Sequence, residues 1–518
     1  MLAALSAAAL AWFFQQGYLL YYGDAEAHLN IARRLFDSRT PDYRQIGTVW
    51  LPLPHLLIAP FAKVDAWWRS GLAGGVPTAG CFVVAGMLLY ASVRRLLPGR
   101  APAVAATALF ALNPNLLYLQ STAMTEPVFF AALAAILYCT VRFRQTQSRL
   151  AAAGAGLAVL AATLTRYEGW FLAPFVGIYF LIAARNNRIA VAALFGLLAV
   201  AGPLYWLGHN WWIYGNPLEF YNGPYSAKAI YQRSLDQGME RYAGDGDWGK
   251  AWLYFTSAAR LCAGWPLAAL GLAGVAAALI RRTWWPVALL ALSPAFYVWS
   301  VYASGTPIFV PHLWPSSYYN TRYGLAALPL LCFGVGALVS FAPQRFRTAG
   351  VSLVVVAGLS PWLLSPTPEA WICWKESQVN SEARRAWTRE AAEFLRANIR
   401  PGDRIFTSFS DLTGIYREAG IPLRATLHEG NEPEWQAAAA RPDLFLRAQW
   451  AVGFSGDKVT AAAFRTSKDG PGYQRVKTIM KKGAPVVEIY RRSHEDSIHQ
   501  GAWRPERLSA DVDEGSPE

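Results

Sequence analysis

The sequence predicts an all-α polytopic membrane domain followed by a small extracytoplasmic α/β domain. Three observations carry this. Apolar runs of spanning length fill residues 1–366, where a transmembrane helix needs about 17–25 residues. Arginine clusters recur in alternate connections between those runs. Beyond about 367 the pattern changes to an amphipathic helix and short strands.

Composition sets the class. Of 518 residues, 54% are apolar and only 16% charged, against about a quarter charged in soluble domains. Trp, Tyr and Phe number 22, 24 and 26, and Trp and Tyr favour membrane interfaces. A net charge of +13 would point to nucleic acid in a soluble protein. Here the excess lies in short loops between apolar runs, where it sets orientation, so no nucleic-acid partner is expected. Four of the five cysteines (Cys81, Cys139, Cys262, Cys332) fall inside apolar runs and Cys373 stands alone, which gives neither a disulfide framework nor a metal-ligand spacing.

Spans are placed near 2–20, 71–92, 101–119, 124–142, 150–165, 169–184, 189–207, 264–280, 284–303, 323–341 and 348–366, about eleven in all. The first run lacks a basic n-region and is read as a retained helix rather than a cleaved signal. Arg94, Arg95 and Arg100, then Arg142, Arg144 and Arg149, then Arg185 and Arg188, Arg281 and Arg282, and Arg345 and Arg347 all fall on one side if the spans alternate. The positive-inside rule makes that side cytoplasmic. The outer side then receives 21–70, 120–123, 166–168, 208–263, 304–322 and everything after about 367. Domain limits follow: a membrane domain over 1–366, an outer α/β domain over 367–492, and a polar, acidic tail over 493–518 expected to be disordered. In the outer domain, residues 380–398 repeat apolar positions at helical spacing, and IFTS, WAVGF, RVKTIM and PVVEIY read as strands. No internal repeat is visible, which counts against transporters built from two halves.

The chemistry-bearing residues gather in the outer segments. In GDAEAHLNIARRLF, Asp24 stands before a helix-forming run as an N-cap or a functional acid, with Glu26 in the first turn. Asp24 and His28 share a face of this short interfacial helix and Glu26 points elsewhere. His28 is read as a binding residue or a solvated interface residue. Carboxylates placed beside lipid are often functional. In TAMTEPVFF, Glu126 and Pro127 begin a span, which suits both a helix start and a functional acid. Arg166 and Glu168 occupy a very short outer turn and either pair together or, for Arg166, face a lipid phosphate. In YYNTRYGLAALP, Asn320, Arg322 and Tyr323 sit where a long aromatic loop enters a span. Lys228 and Lys375 are further outer cations for which solvated surface is the default.

These segments together resemble the GT-C superfamily of membrane glycosyltransferases, in particular the dolichyl-phosphate-mannose–protein mannosyltransferase and aminoarabinose (lipid A) transferase group. The likeness rests on Asp24 in the first outer loop, Thr125-Glu126-Pro127 at a helix start and Arg322-Tyr323 entering a late span. Two departures stand out: Asp24-Ala25-Glu26 replaces the paired acids of many members, and TVWLPLPH has no lysine where aminoarabinose transferases carry Lys-Pro-Pro.

The resemblance implies transfer of a sugar from a polyprenyl-phosphate donor to a hydroxyl on a lipid, glycan or protein, at the extracytoplasmic face of a bacterial inner membrane. Asp24 is expected to act as general base and Glu126 beside it, with Glu26, His28, Arg166, Glu168, Asn320, Arg322 and Tyr323 binding substrate. No cofactor is expected, although an Asp24/Glu126 pair could hold a divalent metal. No Gly-rich nucleotide-phosphate loop is present. The rival readings are an oligosaccharide ligase or polymerase with the same donor chemistry, a secondary transporter, and a non-catalytic membrane scaffold.

Overall fold

The computed structural model describes residues 1–469 and 472–493. The tail expected to be disordered lies, but for residue 493, outside the described residues. Each predicted span corresponds to helix. Six helices are long and apolar enough to cross a bilayer: Leu72–Leu96, Glu126–Thr146, Arg188–Tyr214, Trp284–Tyr302, Thr321–Phe341 and Gln344–Leu364. Leu2–Gln15 (α1), Ala101–Ala111, Arg149–Thr163 and Glu168–Ala183 are apolar but shorter, so the expected count of eleven is not reproduced by length alone.

Several helices inside the predicted outer loops were not anticipated, among them Pro52–Ala62 and Ala227–Asp236, and one of them packs against a span. The predicted outer loop 208–263 contains Trp248–Ala263, which meets Trp265–Ile280 at a bend of 109°. Gly264 supplies the turn with φ +78, and Pro266 starts the next helix. Lys250, Thr256, Ser257 and Arg260 break its apolar pattern, which hid it from hydropathy.

The basic connections meet at one end of the bundle. Arg347 donates to the carbonyls of Pro98 and Ser340, Arg281 donates to Ser340, and Gln145 donates to the Arg95 carbonyl. At the other end lie α2 (Gly23–Arg34), Glu126, the 166–168 turn and Thr321–Tyr323.

A long helix, Ile372–Asn398, leads from the last span into a five-stranded sheet. Its strands are β1 (Ile405–Thr407), β2 (Thr426–Leu427), β3 (Trp450–Phe454), β4 (Tyr473–Ile479) and β5 (Val487–Arg492), in the order β2-β1-β3-β5-β4. β1 is parallel to β2 and β3, while β5 is antiparallel to β3 and β4. Alternation divides the two faces. Ile405, Val452 and Ile489 join the core that continues into the membrane helices, whereas Phe406, Ala451 and Tyr490 pack in a second core with Trp435 and Val459. The sheet is thereby seated against the long helix and, through it, against α2.

Candidate active site

α2 begins at Gly23 with Tyr22 as its extended N-cap residue. Asp24 therefore lies inside the first turn and is not the cap, which corrects one expectation. Released from capping, its Oδ2 accepts a hydrogen bond from Arg322 Nη2 at 2.5 Å. The Asp24 side chain remains 44% exposed on a cavity of about 570 Å³.

Arg322 is buried and fully engaged. Its Nε donates to Glu126 Oε1 at 3.3 Å and its Nη1 to Glu376 Oε1 at 3.1 Å. Glu126, at the first position of its helix, also accepts from Arg166 Nη1 at 3.1 Å. Arg166 in turn donates to Glu168 Oε2 at 3.3 Å, Thr125 Oγ1 at 2.5 Å and the Tyr297 hydroxyl at 2.5 Å. The Tyr323 ring lies between both guanidiniums, 4.9 Å from Arg322 Cζ and 5.2 Å from Arg166 Cζ. Asp24, Glu126, Arg166, Glu168, Arg322 and Tyr323 thus form one connected network, drawn from four separate stretches of chain.

Three predicted residues are placed differently. Glu26 lines the cavity, but both its oxygens are held, by Arg384 Nη1 at 2.9 Å and Arg417 Nε at 3.0 Å. His28 is buried rather than solvated, with Nδ1 2.9 Å from His55 Nε2 and its ring against Trp50. Burial, with Arg166 and Arg322 nearby, pushes His28 down to about 3, so it is neutral at physiological pH. The two placements have different causes: Arg384 and Arg417 of the C-terminal domain reach over α2 to Glu26, whereas His28 is enclosed by Trp50 and His55 from the segment that follows α2. Asn320 borders the cavity in a left-handed conformation (φ +54) and donates its carboxamide N–H to the Pro307 carbonyl at 3.0 Å.

The cavity lies between α2, the 319–322 segment, the long helix 372–398 and the loop at Phe409–Asp411. Tyr21, Trp50, Tyr319, Phe409 and Phe454 give it aromatic walls; Asn30, Ser377, Asn380 and Ser410 give it neutral polar groups. Such surfaces suit carbohydrate, whose ring faces stack and whose hydroxyls hydrogen-bond. Glu376 was not anticipated. Its Oε2 accepts the Thr321 backbone N–H at 2.8 Å and also the Thr321 hydroxyl. Burial raises Glu376 to about 7 against the lowering pull of Arg322. Nor was Arg34, at the far end of α2, and no pattern in the sequence marked either.

Arg322 bonds both Asp24 and Glu126 and so occupies the space a shared cation would take. Among the described residues, no three His, Cys, Asp or Glu side chains are grouped as a metal site.

Residues 52–206 match the family of dolichyl-phosphate-mannose-protein mannosyltransferases. The match includes Glu126 and Arg166 but stops short of Asp24 and Arg322. Among solved structures, the chain is similar to ArnT from Cupriavidus metallidurans in the apo state, with a TM-score of 0.58 at 14% identity over 94% of this chain and 97% of that one. It is also similar to ArnT of the same organism bound to undecaprenyl phosphate, with a TM-score of 0.53 at 12% identity over 93% and 97%. No curated protein matches the chain. The fold is that of these two ArnT structures, and within it residues 52–206 carry the match to the mannosyltransferase family.

Proposed function

We propose that this chain of GT-C fold transfers a single sugar from a polyprenyl-phosphate donor to a hydroxyl acceptor at the outer face of the membrane, with inversion. The observation that carries the reading is Asp24: a carboxylate half open to a sugar-compatible cavity, aligned by a buried guanidinium at 2.5 Å. The undecaprenyl phosphate in one of the similar ArnT structures supports the donor class.

In this mechanism Asp24 takes the proton of the acceptor hydroxyl. The acceptor oxygen forms a bond to the anomeric carbon as the bond from that carbon to the phosphate oxygen breaks. The lipid phosphate leaves with the electron pair, and it needs charge stabilisation rather than an acid, because its second pKa is about 6. Arg322 is the guanidinium nearest the base. A phosphate arriving there competes with Asp24 for its N–H groups and frees the carboxylate to act. Glu126, Arg166 and Glu168 hold Arg322 and Tyr323 in place, a positioning role that replaces direct binding for Arg166. A cavity of about 570 Å³ lies within the small-ligand range of about 300–1,000 Å³. It favours one sugar over the preformed chain of a ligase or polymerase.

The test is release of polyprenyl phosphate by the purified full-length protein, given a panel of polyprenyl-phosphate sugars and a glycan or lipid extract. Asp24→Asn keeps an oxygen for Arg322 and is expected to lower turnover by about 10²–10⁴-fold. Equal turnover by both proteins removes Asp24 as base. No turnover by wild type with any donor and acceptor brings the transporter and scaffold readings back.

A further inference from the structure

The cations around the cavity are not equivalent. Four carboxylates (Asp24, Glu126, Glu168 and Glu376) share the two guanidiniums of Arg166 and Arg322, so that end carries surplus negative charge. Arg384 is neutralised by Glu26 and gives its remaining bonds to the carbonyls of Leu20 and Tyr21. Arg34 differs. It is 8% exposed and lines the cavity, yet among the described residues no carboxylate is in ion-pair contact with it. Its Nε donates to the Gln45 carbonyl, and its guanidinium stacks with Cζ 4.0 Å from the centre of the Phe409 ring. Among the described residues its terminal amino groups have no hydrogen-bond acceptor, and neither is sealed from the cavity. Gly47 borders one of them: a Cβ there would stand 3.3 Å from Nη2.

A buried cation without an ion-pair partner is costly. Here burial pulls the guanidinium down to about 10, and Glu429, the acid that pulls the other way, is committed to the Phe409 backbone N–H at 2.6 Å. The position is also prepared: one edge of the guanidinium is anchored, one face is stacked, and a pair of N–H donors is left for an oxyanion, the geometry that suits phosphate. We propose that Arg34 is a second anion-binding residue of this cavity, besides Arg322, and takes a phosphate group on its free edge. Arg34 lies ten residues from Asp24 on α2, about 15 Å of helical rise, so the phosphate sits at the end of the cavity away from the base. The inference rests on the functional reading above only for which phosphate that is: one carried by the acceptor, or the donor's lipid phosphate before it advances to Arg322 for transfer.

Full-length protein in detergent is titrated, following the fluorescence of the cavity-lining Trp50 and its neighbours, with undecaprenyl monophosphate, undecaprenol and glucose 6-phosphate. Arg34→Gln is expected to weaken phosphate binding by about tenfold or more and to leave undecaprenol binding unchanged. Loss confined to undecaprenyl phosphate assigns the donor; loss confined to glucose 6-phosphate assigns an anionic acceptor. Arg34→Lys keeps the charge without the fork and is expected to lose several-fold, which keeps the test open if Arg34→Gln does not fold. Wild-type affinity in both variants, or no phosphate binding by wild type, overturns the proposal. The assay needs no turnover, so absence of transferase activity with phosphate binding lost in Arg34→Gln would sink the functional reading and leave this site standing.

Discussion

Glu376 accepts a hydrogen bond from Arg322 Nη1 at 3.1 Å across 54 residues of sequence. With its second oxygen on the Thr321 backbone N–H, it clamps the segment that presents the guanidinium to Asp24. A helix beyond the last span thereby sets the geometry of a network otherwise built from the membrane domain.

Glu376 makes that geometry sensitive to pH. Burial lifts its carboxyl from 4.5 to about 7 in the folded protein, so between those values the folded state holds a proton that the unfolded chain has lost. Stability then falls as pH rises through that window, by an amount on the order of a few kcal/mol. Activity moves the other way, because the ionised carboxylate is the form that grips Arg322. The turnover rate is expected to rise through about pH 7 in wild type and to be flat and roughly tenfold lower in Glu376→Gln, with little change in the donor KM. A wild-type profile flat from pH 6 to 8, or the same limb in the variant, would show that Glu376 does not govern Arg322.

Glu26 is predicted to act on the docking of the C-terminal domain. It is buried and bridges α2 to Arg384 and Arg417. Glu26→Gln leaves two buried guanidiniums without their counter-charge, a change that costs about 3–5 kcal/mol in comparable pairs. Gly414→Ala reaches the same contact from the other side, since a Cβ there would lie 2.5 Å from Glu26 Oε1. Alanine normally stabilises a helix over glycine by about 1 kcal/mol, so destabilisation of the helix Thr413–Ala419 by alanine would be diagnostic. Thermal melting of both variants reads this, and a melting temperature at or above wild type for Gly414→Ala would refute it.

The sequence showed the apolar helices clearly because hydropathy is a local property, and Pro127 and the Arg322-Tyr323 pair marked helix starts at the end of the bundle that holds the site. What it hid depended on contacts far along the chain. The helix Ile372–Asn398 begins eight residues before the 380 read from periodicity, and the added turns, ICWKESQV, carry Glu376 in a mixed pattern with no signature. For His28 a solvated position stood open beside a binding one because nothing local shows that Trp50 and His55 fold back over it. A cap role for Asp24 stood beside the functional one because N-cap preference cannot fix the first helical residue to better than one or two positions. Arg34 looked like an ordinary basic residue in the last turn of a helix; only its lack of an ion-pair partner among the described residues sets it apart.

Chelators are expected to leave transfer unchanged. Asp24 and Glu126 are the acids best placed to share a divalent ion, and Arg322 bonds to both. Binding a metal there would require displacing a buried guanidinium that also holds Glu376. Turnover measured with excess EDTA should equal turnover with added Mg²⁺ or Mn²⁺. A chelator-induced loss restored by one ion would mean that Arg322 swings away in the working enzyme.

The membrane helices offer a separate test, away from the chemistry. Trp265–Ile280 and Leu328–Phe341 pack so closely that a Cβ at Gly274 would come 1.8 Å from the Gly334 carbonyl oxygen, and one at Gly334 would come 2.2 Å from the Gly271 carbonyl oxygen. Neither distance can be relieved by turning a side chain, because both contacts are with backbone. Close approach through small residues is how helices pack in lipid, where no hydrophobic driving force draws them together. Gly274→Ala is therefore expected to push the two helices apart and destabilise the protein by about 1–3 kcal/mol. Gly350→Ala, in a neighbouring helix with open space around it, should be neutral or slightly stabilising. The comparison is made by thermal unfolding in one detergent. Equal melting temperatures for the two variants would mean that this helix pair is not held at the observed separation.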